Sequence, residues 1–190
     1  MSFFADNYSR CWDFLTESRW HVVFSLGIFS LFFLIGFMFP IFFRQEIADM
    51  IAGIILSLEG LNTYEITGFI LLNNIKASFF AMVFGIGFGI FPLITGIFNG
   101  YILGFVARFA VEQNGIFTLW KLVPHGIFEL PAIILSIGIG MKIGVDLFRG
   151  KWKGLLKYNL GEGLRFFVFV ILPLLIVAGI IEGILVGALG

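Results

Sequence analysis

Residues 20–43 read WHVVFSLGIFSLFFLIGFMFPIFF, a run without one acidic or basic side chain apart from His21. As a helix rising about 1.5 Å per residue, it is long enough to cross a hydrocarbon core of about 30 Å. Trp20 and His21 stand at its start, where interfacial side chains belong. Four more runs of the same character follow, at about 66–91, 93–111, 117–141 and 164–189. Composition agrees with them: 59% of the chain is hydrophobic and 13% is charged, with a mean hydropathy of +1.05. A soluble domain is nearer a quarter charged. The runs are continuous and do not alternate, which excludes a transmembrane β-barrel. Only helices and closed barrels satisfy the backbone inside a bilayer. The expected fold is therefore all-α, a polytopic transmembrane bundle of about five spans in a single domain, 1–190.

Outward from that first run, the opening segment MSFFADNYSRCWDFLTESRW mixes polar and aromatic residues and has no small-residue cleavage site. The first span is thus expected to be retained. Downstream, Ile47, Met50, Ile51, Ile54, Ile55 and Leu58 recur at helical spacing opposite Glu46, Asp49 and Glu59. That pattern predicts an amphipathic helix over about 45–60, lying in the membrane surface or over the bundle. Pro92 is expected to end the second span. Pro124 and Pro131 predict a kink or break early in the fourth.

Basic residues set the expected orientation. Lys142, Arg149, Lys151, Lys153, Lys157 and Arg165 read as a basic loop over 142–165, which the positive-inside rule places in the cytoplasm of a cell membrane. The N-terminus is then inside and the C-terminus outside. A net charge of zero suggests no nucleic-acid partner. With one cysteine, Cys11, the chain has neither an intrachain disulfide nor a cysteine metal cage.

Glycines recur at four-residue steps: Gly96, Gly100 and Gly104 in the third span, and Gly179, Gly183 and Gly187 in the fifth. Residues four apart share a helix face, and glycine lets another backbone approach closely. The pattern predicts a compact bundle or a homodimer. GIFNGYILG from Gly96 and GIIEGILVG from Gly179 also resemble each other, with Asn99 opposite Glu182.

Ionisable groups inside a span cost roughly 2.5–3.5 kcal/mol each on insertion scales, so each asks for a reason. Glu129 is about 20 Å along the helix from Lys142, with His125 one turn further, and Glu182 is about 24 Å from Phe166. Asn73 and Asn74 reach a similar layer measured from Phe91. Asn73, Asn74, Lys76, His125, Glu129 and Glu182, with Asn99 nearby, are thus candidates for a buried polar cluster in the outer half of the bundle. They could simply hydrogen-bond one another and serve kinked helix ends. Alternatively they bind an ion, a proton or a small ligand. His125, Glu129 and Glu182 form a conceivable metal set. No metalloprotease HExxH, nucleophile-elbow GxSxG or Walker A sequence is present, so no enzyme and no cofactor are expected.

LLNNIKASFFAMVFGIGFGIFPLITGIFNGYILG, then VPHGIFELPAIILSIGIGMKIG, and PLLIVAGIIEG in the last span, together resemble the stage II sporulation protein M family. The resemblance spans about 71–187 and carries Asn73, Asn74, Asn99, Gly100, His125, Gly126, Glu129, Pro131 and Glu182. It implies an integral membrane organiser which, in spore formers, works with two cell-wall-degrading partners and is not itself the hydrolase. It transfers no catalytic residue. The leading reading is a non-catalytic scaffold that assembles with itself or with membrane or envelope partners; the other is an ion or small-solute channel or transporter.

Overall fold

The computed structural model describes residues 2–148 and 152–189, with side chains at all of these except 121–125, 152, 153 and 186–189. Seven α-helices carry the fold: α1 Phe3–Met38, α2 Arg44–Leu58, α3 Thr63–Val83, α4 Ile90–Asn114, α5 Val123–Asp146, α6 Trp152–Phe166 and α7 Leu172–Leu189. No strand occurs among the described residues. Five stretches are long and apolar enough to cross a membrane: α1, residues Thr63–Ile86, α4, Gly126–Asp146 and Gly154–Leu185. The fold is an all-α bundle, as its composition demands.

The boundaries differ from the expected ones for identifiable reasons. The first helix starts at Phe3, not Trp20, because Ser2 caps it by accepting from the Ala5 amide, and its polar residues find partners on α6. It stops at Met38, not Phe43, because Pro40 disfavours helix at the residue before it. Phe43 then turns the chain in a left-handed conformation (φ 53°) into α2. Tyr101 of α4 holds this corner. Its hydroxyl accepts from the Phe42 amide at 3.0 Å and lies 2.9 and 3.1 Å from the Phe42 and Phe39 carbonyls.

α3 begins with a complete capping box. The Asn62 side chain accepts from the Tyr64 and Glu65 amides, and Glu65 accepts from the Asn62 amide. The second span ends at Val83 and a single 3₁₀ turn, not at Pro92. Phe88 (φ 58°) and Gly89 (φ 75°) reverse the chain, and Pro92 sits in the first turn of α4, where its missing donor is not needed. This hairpin tip is wedged against α5. A β-carbon on Gly85 would meet the Gly140 backbone, and one on Gly144 would meet the Gly89 backbone.

The fourth span is preceded by a 3₁₀ segment, Ile116–Leu122, which takes the irregularity expected around Pro124. α5 then runs unbroken through Pro131 and lies at the centre, against α1, α3, α4, α6 and α7. The expected basic loop over 142–165 is mostly not a loop. Lys142 belongs to α5 and Lys157 and Arg165 to α6, while Arg149 and Lys151, and the side chain of Lys153, lie outside the described residues. α6 and α7 join through a π-helical turn, Phe167–Ile171, in which the Leu172 amide returns to the Phe167 carbonyl. Pro173 follows at once, and the wider turn gives its ring room within a continuous helix.

α1 and α4 run parallel and in close contact. A β-carbon on Gly100 would stand 2.5 Å from the Phe29 carbonyl oxygen, and one on Gly104 would collide with the Phe33 backbone. Gly96 has ordinary contacts with Ile137 and Ile28. On α7, Gly179 meets the Leu71 side chain and Gly183 meets Thr67, both on α3. The side chain position of Gly187 lies outside the described residues. The main core gathers Cys11, Phe14, Met82, Ile139, Ile143, Phe166, Ile171 and Leu175 from α1, α3, α5 and the α6–α7 rod. A second, around Tyr101 and Phe105, takes in Ile47 of α2.

Candidate functional site

Two polar clusters lie inside the bundle. The first joins α3, α5 and α7. Glu129 is half-buried, with the Asn74 side chain and the Glu182 carboxylate both near enough to interact with it electrostatically. The α3–α7 contacts set the heights: Leu71 against Gly179 and Thr67 against Gly183 put Glu182 level with Gly68, about 9 Å along α3 from Asn74. Beside them a groove of about 510 Å³ opens between Thr63, Tyr64 and Thr67 on α3 and Ile180, Gly183 and Ile184 on α7.

The other expected members are elsewhere. Asn73 and Lys76 are exposed and not buried, because they point away from the face of α3 that carries Asn74, Ser78 and Met82. One residue along a helix is a rotation of about 100°, so Asn73 shares Asn74's height but not its direction. Asn99 donates to the Thr95 carbonyl on its own helix at 2.8 Å. The His125 side chain lies outside the described residues, so the His125, Glu129 and Glu182 metal set is not placed. Among the described residues, no three His, Cys, Asp or Glu side chains are grouped to hold a metal ion.

The second cluster was not foreseen. Lys142, Asp146, Asn159 and Glu162 are all buried, between α1, α5 and α6. The Lys142 ammonium donates to Asp146 Oδ2 and to Asn159 Oδ1, both at 2.9 Å, while the Asn159 amide donates to the same Asp146 oxygen at 2.9 Å. These three bonds close a triangle. Glu17 of α1 stands 3.8 Å from Lys142 and accepts from the Tyr158 hydroxyl, and the Phe14 ring centroid is 5.3 Å from the ammonium. One turn along α6, Glu162 is clasped by Arg10 of α1 and by Arg165, whose Nε donates to Asn7 at 2.9 Å. Three cations, Arg10, Lys142 and Arg165, face three carboxylates, Glu17, Asp146 and Glu162. The signal was present in the sequence as Lys142–Asp146 at i, i+4 and Glu162–Arg165 at i, i+3, but both pairs read as loop charges.

Residues 22–186 match the family model of stage II sporulation protein M. The chain belongs to that family. It is also similar to two uncharacterized proteins of Methanocaldococcus jannaschii. One is 35% identical over 102 residues, covering 50% of this chain and 45% of the relative. The other is 31% identical over 119 residues, covering 60% of this chain and 66% of the relative. The chain thus spans about half of the first relative's length and just under two thirds of the second's. No solved structure matches this chain. Both clusters lie within the matched span except for the α1 residues of the second, Asn7, Arg10 and Glu17, which precede it. This family member is a multi-pass membrane protein in which the charges between α1, α5 and α6 form a balanced, cross-linked set.

Proposed function

We propose that this chain is a non-catalytic membrane scaffold of the stage II sporulation protein M type, holding membrane or envelope partners in place. The observation that supports it is the second cluster. A path for ions or solutes needs charges that exchange partners with water, whereas Lys142 and Glu162 each hold a partner on their own helix and at least one on a neighbouring helix. Such a network fixes α1, α5 and α6 in one arrangement, which suits a platform. In this reading the protein sits in the cell membrane with its N-terminus and the α5–α6 connection cytoplasmic and its C-terminus outside. A second copy, if it docks, uses a surface other than the glycine stripes, since Gly100 and Gly104 face α1 and Gly179 and Gly183 face α3.

The pair Glu129 and Glu182 favours a second reading, transport of a cation or proton, because two neighbouring carboxylates inside a bundle are a plausible cation site. Flux in proteoliposomes separates the two. The scaffold reading predicts proton and monovalent-cation flux no greater than in protein-free vesicles. Flux that disappears in a folded Glu129→Gln variant would overturn it.

A further inference from the structure

The outward face of α3 is polar where it should be most apolar. Phe69, Leu72, Asn73, Lys76, Ala77, Phe80 and Phe84 recur at three- and four-residue steps, and all are exposed. Lys76 is the fourteenth residue of the 24-residue span Thr63–Ile86, about 20 Å from its start and about 15 Å from its end. Helical side chains lean towards the N-terminus, so Lys76 points away from the nearer end and further into the hydrocarbon. Among the described residues it has neither an ion-pair nor a hydrogen-bond partner, unlike Lys142. A lone ammonium facing lipid at this depth costs several kcal/mol.

We propose that this face of α3 is a docking surface for a transmembrane helix of another membrane protein that carries a carboxylate near its own midpoint. The ammonium of Lys76 would pair with that carboxylate, and the Asn73 amide, one turn away on the same face, would donate a second hydrogen bond. Phe69 and Leu72 on one side, and Phe80 and Phe84 on the other, give the flanking apolar contact; Phe80 and Phe84 are stacked at 5.3 Å. Charge complementarity selects this occupant over a second copy of the chain. Of the carboxylates on the Asn74 side of α3, Glu129 is half-buried there and Glu182 stands about 12 Å along α3 from Lys76, so a symmetric second copy would bring ammonium to ammonium. The assignment rests on the scaffold reading and names the partner chemistry that reading lacks.

The test uses the full chain in phosphatidylcholine vesicles with fluorescent leucine-rich transmembrane peptides bearing Glu, Gln or Leu at the centre. Energy transfer to the unaltered chain should show the Glu peptide binding about tenfold tighter than the Leu peptide. Lys76→Met should remove the preference and Lys76→Arg should keep it, with helicity unchanged in both. Equal binding of the three peptides to the unaltered chain overturns the proposal without touching the scaffold reading, which the flux measurement addresses. Self-association of the chain that is lost in Lys76→Met overturns it in favour of a second copy.

Discussion

Lys142 and Lys76 are the same residue type in the same kind of span, with opposite surroundings. Lys142 has lost water and gained a carboxylate, an amide oxygen and an aromatic face. A buried pair of this kind barely repays its desolvation, yet removing one member strands the other. Lys142→Met should therefore destabilise the protein by about 3–5 kcal/mol. Lys142→Met with Asp146→Leu should recover much of that loss, both measured by reversible unfolding in mixed micelles. Recovery no better than the sum of the single losses would show that the triangle is not a coupled unit. At this scale the sequence is only partly readable. Counting residues along helices gives height but not direction, so it cannot separate Asn73, which faces outwards, from Asn74, which meets Glu129. It also cannot tell a loop charge from a buried one, which is why Lys142 and Arg165 read as markers of orientation.

Among the elements, the five spans were legible because each needs an apolar run long enough to cross the bilayer, whereas α6, with its mixed charges, read as a loop. Their ends depended on local chemistry that hydropathy does not weigh: Pro40 stopping α1, the left-handed pair Phe88 and Gly89 turning α3 into α4, and the π-helical turn before Pro173. Two glycines test how the elements meet. Gly100→Ala forces a β-carbon against the Phe29 carbonyl and should cost about 1–3 kcal/mol as α1 and α4 move apart. Gly53→Ala, in the interior of α2 with nothing within 4 Å, should stabilise by about 0.5–1 kcal/mol through helix propensity alone. Thermal unfolding in detergent reads both, and similar shifts would mean that the α1–α4 contact is looser than described. Asn62→Ala should remove about 1 kcal/mol by opening the capping box of α3, while Tyr64→Ala beside it should be nearly neutral.

For the molecule as a whole, α5 is the centre, α1 crosses from the α4 contact to the α6 contact, and the charges between α1, α5 and α6 lock that end. Apolar surface remains outside. Met50, Ile54, Ile55 and Leu56 of α2 are exposed, although Ile47 and Ile51 pack towards Tyr101 and Phe105. Only part of the amphipathic stripe read from the sequence is thus used by the bundle; the rest faces whatever surrounds it. A scaffold has this distribution: internal charges tied within the chain and external faces left for lipid and partners. The scaffold reading further requires that Glu129 and Glu182, half-buried though they are, have no aqueous route across the membrane. Single cysteines at Glu129, Glu182 and, as the exposed control, Tyr64 can be introduced into a Cys11→Ser background and treated with a membrane-impermeant maleimide in sealed vesicles. The account predicts that the Tyr64→Cys protein is labelled while Glu129→Cys and Glu182→Cys react only after denaturation. Labelling of either glutamate position in the folded protein, from either side of the membrane, would contradict it.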